Sequence, residues 1–216
     1  MRARTIAALA TLLAVGGVAR AITAEEAVRR VQARLDATKD FTAAVDQELV
    51  VASAGKTQHA TGTVAFKRPG KMRWTLTDGS KQVIVADGTT LWFYQPDEQQ
   101  VLKAPFRAAF RSSTPISFLT GVGRLSEDFD VTVAGEDSDT VRLALRPRKG
   151  EGELGRLQIT VDAHTYDIVA AEIVDPVGNT TRLRFSALHR NVGLDDAEFH
   201  FDVPAGVDVI EAPIGN

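Results

Sequence analysis

The chain has 216 residues, with 25 Lys and Arg against 28 Asp and Glu, a formal net charge of −3 and no cysteine. That balance argues against a nucleic-acid binder. The missing cysteines exclude disulfides, thiolate chemistry and a lipid-modified N-terminal cysteine.

Arg2 and Arg4 open the chain, residues 6–18 form an apolar run, and Ala19-Arg20-Ala21 is an A-x-A cleavage pattern. The run is short for a bilayer span and ends in small residues, so it reads as a cleaved secretory signal over residues 1–21. One domain over residues 22–216 is the expectation that follows, and no second long apolar segment comes after it. A soluble, monomeric protein of the periplasm fits this arrangement.

Thr23-Ala24-Glu25-Glu26 matches a capping box, and Val28, Val31 and Leu35 follow at helical spacing with Arg29, Arg30 and Arg34 elsewhere on the helix. From Phe41 the period becomes two. Phe41, Ala43, Val45, Leu49 and Val51 share a face, Thr42, Asp46 and Glu48 lie opposite, and Gln47 interrupts the apolar side. After a turn at Gly55, a strand over 63–68 carries Val64 and Phe66. Pro69-Gly70 reverses the chain into a strand over 71–78, with Met72, Trp74 and Leu76 on one face and Lys71, Arg73, Thr75 and Thr77 on the other. Asp78-Gly79-Ser80 and Asp87-Gly88 mark the next turns, around strands at 83–86 and 91–95, and a further strand covers 100–103. Arg68 shares its parity with Val64 and Phe66, so its guanidinium either points toward the apolar face or reaches water at the rim of the sheet.

Residues 105–128 break the strand pattern. Phe106 and Phe110 precede Ser112-Ser113-Thr114-Pro115, a good helix start, and Ile116, Phe118 and Leu119 give a short apolar helix ended by Gly121 and Gly123. A second short turn covers 125–129. An apolar helix flanked by glycines and set between strands suits a lid, and it equally suits a crossover that plugs one end of the sheet. Strands resume at 131–134, 141–145, 157–161, 168–174, 181–188 and 199–202. Roughly ten or eleven strands with two or three helices are too many for one flat sheet, which points to a barrel or half-barrel.

Catalytic chemistry is hard to find. The chain has no G-x-S-x-G elbow, no H-E-x-x-H and no phosphate-binding loop, and His59, His164, His189 and His200 are scattered without ligand-like spacing. Asp137-Ser138-Asp139 begins like a calcium loop but lacks its glycine and terminal glutamate. Asp162 and Asp167 flank His164 in what reads as an exposed hairpin turn. The expectation is no enzyme, no catalytic residue, no metal and no cofactor.

Lys67-Arg68-Pro69, Trp74, the run from Val85-Ala86-Asp87-Gly88 to Tyr94-Gln95-Pro96, Thr114-Pro115 and Asp196-Ala197-Glu198-Phe199-His200-Phe201 with Pro204 and Gly206 together resemble the periplasmic outer-membrane lipoprotein carrier family, LolA. The resemblance also takes in residues 41–47, so it spans nearly all of the chain after the signal. It implies an unclosed half-barrel of about eleven antiparallel strands, mainly β, whose apolar concave face lies under a helical lid. It implies a chaperone that takes acylated lipoproteins from an inner-membrane ATP-driven releasing complex and passes them to an outer-membrane receptor. The family's arginine at the position matching Arg68 bonds lid backbone when the carrier is empty and aids transfer, so the resemblance implies a latch at Arg68. Gly70 and Arg73 depart from the family's usual residues and bear on how firmly that lid closes. On this reading the ligand cavity is walled by Val45, Leu49, Val64, Phe66, Met72, Trp74, Leu76, Leu91 and Phe93. Its cover is Val28, Val31, Leu35, Ile116, Phe118 and Leu119. A periplasmic carrier or sensor of another lipid, built on the same half-barrel, is the alternative, and a lipid or glycan hydrolase is disfavoured by the missing motifs.

Overall fold

The computed structural model describes residues 21–109, 123–148 and 155–211. The first element is the helix α1, Ala24–Asp36, whose N-cap Thr23 accepts a hydrogen bond from the Glu26 N–H at 3.2 Å, with Glu25 and Glu26 in the positive first turn. Its apolar stripe buries Ala27, Val31 and Leu35.

A meander of long strands follows: β1 Asp40–Val51, β2 Lys56–Lys67, β3 Lys71–Asp78, β4 Gln82–Asp87, β5 Thr90–Gln95 and β6 Gln100–Pro105. Two one-turn helices, α2 Phe106–Ala109 and α3 Leu125–Asp128, flank residues 110–122, which lie outside the described residues. The second run is β7 Phe129–Glu136, β8 Thr140–Pro147, β9 Arg156–Asp162, β10 Ile168–Val174 and β11 Thr180–Arg190, and β12 Asp208–Glu211 ends the described chain. All belong to one 12-stranded sheet in the order β12-β6-β5-β4-β3-β2-β1-β11-β10-β9-β8-β7. The two meanders meet at a β1–β11 seam, and the end strands β12 and β7 do not pair with each other among the described residues. The fold is therefore mainly β, an unclosed half-barrel with a helix on it.

Two expectations need correction. Residues 199–202 are not a strand: Asp196–Phe199 is a 3₁₀ turn, because Asp195 caps the Ala197 N–H and Glu198 reaches back to the Asp195 N–H, which closes a capping box. The last strand is instead β12, and it pairs parallel with β6, so one ladder of the otherwise antiparallel sheet runs the other way. Four exposed residues carry no alternation that would have marked it.

Cross-strand register sets which side chains line which face. Phe41 lies opposite Phe66, Phe66 opposite Met72 and Met72 opposite Ala86, so one apolar row crosses four strands on the concave side. On the other half, Leu143, Ile159, Leu157, Leu183 and Phe185 continue it. The convex side has its own smaller cluster. Val85, Val101 and Phe199 are buried there apart from the main core, and the Phe201 ring lies 6.2 Å from Trp92 and 5.8 Å from Tyr94. Arg73 straps this C-terminal segment down by donating to the Glu198 carbonyl at 2.6 Å and the His200 carbonyl at 2.7 Å. Lys67 and Lys71 grip Asp196 at 2.7 and 2.6 Å.

Candidate functional site

Period-two alternation delivers the predicted wall residues to the concave face. Val45, Val64, Phe66, Met72, Trp74, Leu76 and Leu91 are buried there, while Leu49 and Phe93 are half-buried. Phe41 stacks on Phe66 with centroids 4.8 Å apart, and Trp74 meets Phe185 edge-on at 6.1 Å, which ties the two meanders together across the seam.

Above this surface lies α1. Val31 and Leu35 are buried against the core and Val28 is half-buried on it. Ile116, Phe118 and Leu119 fall outside the described residues. Beneath the C-terminal half of α1 remains a cleft of about 30 Å³, walled by Leu35, Phe41, Ile168, Phe185 and Leu188 and edged by Arg34, Arg68 and Arg190. That is room for roughly one or two waters. Among the described residues, side chains of α1 and the sheet leave little room at this end of the helix, while a groove of about 580 Å³ remains on its other side, lined by Val28, Gln32, Phe129 and Val131.

Of its two sequence-level readings, Arg68 takes the inward one. It lines the cleft with its side chain 21% exposed and its Nη1 3.8 Å from Asp36 Oδ1. Asp36 also faces Arg124 at 3.7 Å, so one carboxylate at the end of α1 serves two guanidiniums. Burial pushes the Arg68 pKa down, Asp36 opposes that, and Arg124 adds to it.

Polar contacts, rather than continuous apolar packing, hold the rims of α1. Arg34 donates in fork geometry to Asp167, Nε to Oδ1 at 2.9 Å and Nη2 to Oδ2 at 3.1 Å. Arg190, from the end of β11, approaches the same carboxylate at 3.3 Å. Arg30 donates to the Tyr166 hydroxyl at 2.9 Å and lies 5.1 Å over its ring. On the opposite side, Gln32 Oε1 accepts from the Leu125 N–H at 3.0 Å, which docks α3 to α1.

The Asp167 contacts correct the sequence reading of that hairpin. Asp162 is the turn residue expected, accepting from the His164 and Thr165 N–H groups, and these bonds hold its carboxyl below the ordinary range. Asp167 is instead drawn inward, only 15% exposed, between arginines of α1 and β11. Sequence spacing carries one weak signal for this: Arg34 adjoins Leu35, at the border of the helix's apolar stripe. Asp137 likewise caps its turn, accepting from the Asp139 and Thr140 N–H groups. Among the described residues no cluster of three or more His, Cys, Asp or Glu could hold a metal ion, and no helix is long and apolar enough to cross a membrane.

Comparison with known proteins places this architecture. Residues 36–202 match the family model described as outer membrane lipoprotein carrier protein LolA. A protein named outer-membrane lipoprotein carrier protein in Dechloromonas aromatica is 33% identical over 173 residues, covering 80% of this chain and 82% of that one. A protein of the same name in Bordetella avium is 32% identical over 209 residues, covering 95% and 96%. A solved structure of an uncharacterised conserved protein from Thermus thermophilus aligns with TM-score 0.55 at 15% identity, over 88% of this chain and 99% of that one, and shares the fold. With a half-barrel under a helix, a family model matched over most of the chain and relatives this similar over four fifths of it or more, the chain belongs to the outer-membrane lipoprotein carrier family, LolA.

Proposed function

We propose that this protein is a periplasmic chaperone that shields the acyl chains of lipoproteins released from the inner membrane and carries them to an outer-membrane receptor. The observation that carries this reading is an apolar concave face running across both meanders, covered by a helix whose edges are held by ion pairs and side-chain hydrogen bonds. Such bonds can exchange with water one at a time, so the cover can lift without unfolding the sheet. Each acyl CH₂ taken out of water is worth about 0.8 kcal/mol. A lipid-anchored protein therefore needs a partner that hides its chains in transit, and one that surrenders them on arrival.

On this reading Val45, Leu49, Val64, Phe66, Met72, Trp74, Leu76, Leu91 and Phe93 contact the chains. Val28, Val31 and Leu35 belong to the cover, with Ile116, Phe118 and Leu119 assigned to it on sequence alone. Residues 1–21 are the export signal and residues 22–216 the working domain, a monomer in the periplasm. An ATP-driven extraction complex in the inner membrane loads it, and the receptor unloads it. The task is transport, not catalysis.

Arg68 provides the test. As the latch it favours the closed, empty state and so drives release. The charge-assisted lid bonds that a latch arginine makes are worth about 1.5 to 3 kcal/mol each, enough to move a closed-to-open ratio by one to two decades. Arg68→Leu should still accept a lipoprotein and hand it over poorly, with acceptance and handover measured separately. Onward transfer equal to the parent, or failure to load at all, would show that Arg68 is not the latch.

A further inference from the structure

We propose that the cleft under the C-terminal half of α1 is an exchangeable anion site for amphiphiles, in which the carboxylate or phosphate head of a lipid chain takes the place that Asp167 holds between Arg34 and Arg190. The groups facing this cleft are the guanidiniums of Arg34, Arg68 and Arg190, the Tyr166 ring and the single carboxylate of Asp167. Asp36 sits outside, 3.8 Å from Arg68, and divides its charge with Arg124. Positive charge therefore exceeds negative at a place walled by Leu35, Phe41, Ile168, Phe185 and Leu188. Within it the Arg190 Nε is buried and, although 3.3 Å from Asp167 Oδ1, has no hydrogen-bond acceptor among the described residues. A buried donor of this kind calls for a partner.

Water could satisfy that one N–H, but it would leave the excess charge in place. An oxyanion meets both needs, because a two-oxygen head matches the guanidinium fork and carries the missing charge. The apolar walls say what the anion is attached to. They run without a break into the concave core, from Phe41 to Phe66 at 4.8 Å and from Phe185 to Trp74 at 6.1 Å, so a head held at the arginines leaves its tail along the acyl surface.

Space allows only one carboxylate at a time, since the cleft is about 30 Å³ with Asp167 in place. Asp167 is well placed to leave. It sits in the β9–β10 turn next to Tyr166, a non-glycine residue held at φ +60°, a conformation that the turn must maintain at some cost. Its departure also releases Arg34, one of the ties on α1. An incoming anionic lipid would thus loosen the cover it needs to slip beneath. The inference is separate from the carrier reading, and its test needs no lipoprotein.

Calorimetric titration of the purified protein with lauric acid, dodecyl phosphate, neutral monolaurin and inorganic phosphate, all below micelle-forming concentrations, decides it. One or both anionic amphiphiles should bind about tenfold or more tighter than monolaurin, and the stronger of the two identifies a carboxylate or a phosphate as the preferred head. Inorganic phosphate alone should bind far more weakly than dodecyl phosphate. Arg190→Gln should erase most of the preference for charge, and Asp167→Asn, which removes the internal competitor, should tighten the anionic probes by clearly more than it tightens monolaurin. Should Arg190→Gln fail to show the parent's circular dichroism, Arg34→Gln serves in its place. The proposal is overturned if neither anionic probe binds, if monolaurin matches them, if free phosphate matches dodecyl phosphate, or if the preference survives in the folded arginine variant.

Discussion

Arg73 holds the C-terminal segment on the convex face through two main-chain carbonyls that bracket Phe199, a ring only 1% exposed. Arg73→Met keeps a stem of similar length and removes both donors. Bonds from a charged donor are worth about 1.5 to 3 kcal/mol each when shielded. Here the guanidinium is half-exposed and water replaces part of each bond, so about 1 to 2 kcal/mol in total is the expected loss. The loss falls on local detachment of the strap, because Phe199 and Phe201 can leave the face without separating any strand of the meanders. Native-state hydrogen exchange reads this directly. The Ala197 and His200 amides, which bond the Asp195 side chain and the Ala197 carbonyl, should exchange about tenfold faster, while amides of the β1–β2 and β2–β3 ladders keep the parent's rates. Uniform acceleration across those ladders would show that the strap and sheet open together. Unchanged rates in the strap would show that Arg73 contributes nothing to holding it.

Acid should loosen the same strap by another route. The Lys67 and Lys71 ammonium groups hold the Asp196 carboxyl down from 3.8 to about 2; the contribution is complete above the unfolded value and disappears as pH falls from there toward 2. Strap amides should thus lose protection in that window after correction for intrinsic exchange, and Asp196→Asn should lack the step. Phe66→Ala, which empties a site 1% exposed and stacked on Phe41, should cost about 3 to 5 kcal/mol, seen as a melting temperature lower by about 10 °C. Gly62→Ala places a Cβ 1.9 Å from the Thr75 carbonyl oxygen and 2.9 Å from the Leu76 Cα, so the β2–β3 ladder must shift. A loss of about 1 to 3 kcal/mol or more is expected in denaturant unfolding, and a parental midpoint would refute the clash.

Where local chemistry alone decides an element, the sequence was readable. Thr23 and the Glu pair announced α1, and alternation through Met72, Trp74 and Leu76 announced both β3 and its inward face. Reading failed where a distant or competing interaction won. Phe199 and Phe201 alternate as a strand would, yet the Asp195–Glu198 capping box curls that stretch and the pair lands on the convex cluster. The β12 strand is defined by its partner β6 rather than by any pattern of its own. Asp167 looked like a turn residue because its two arginines come from α1 and the end of β11, both outside its own hairpin. The direction of Arg68 is set by Asp36 and the cleft under α1, which strand parity alone does not specify.

The strand order has a consequence for how the chain reaches its native state. The middle of the sheet joins β1 to β11, pairing Val45 with Phe185, whereas every other antiparallel ladder joins neighbours in sequence. Each meander can therefore zip locally and early, but the central ladder waits for a loop that encloses most of the protein. Until it closes, β1 and β11 are two unprotected edges beside apolar faces, the state most prone to pairing with another copy. Cooperativity between the meanders rests on that ladder and on the core contacts beside it, such as Trp74 on Phe185. Weakening substitutions at the seam should split unfolding into two steps, one for each meander, whereas equally costly substitutions inside a meander should leave a single transition.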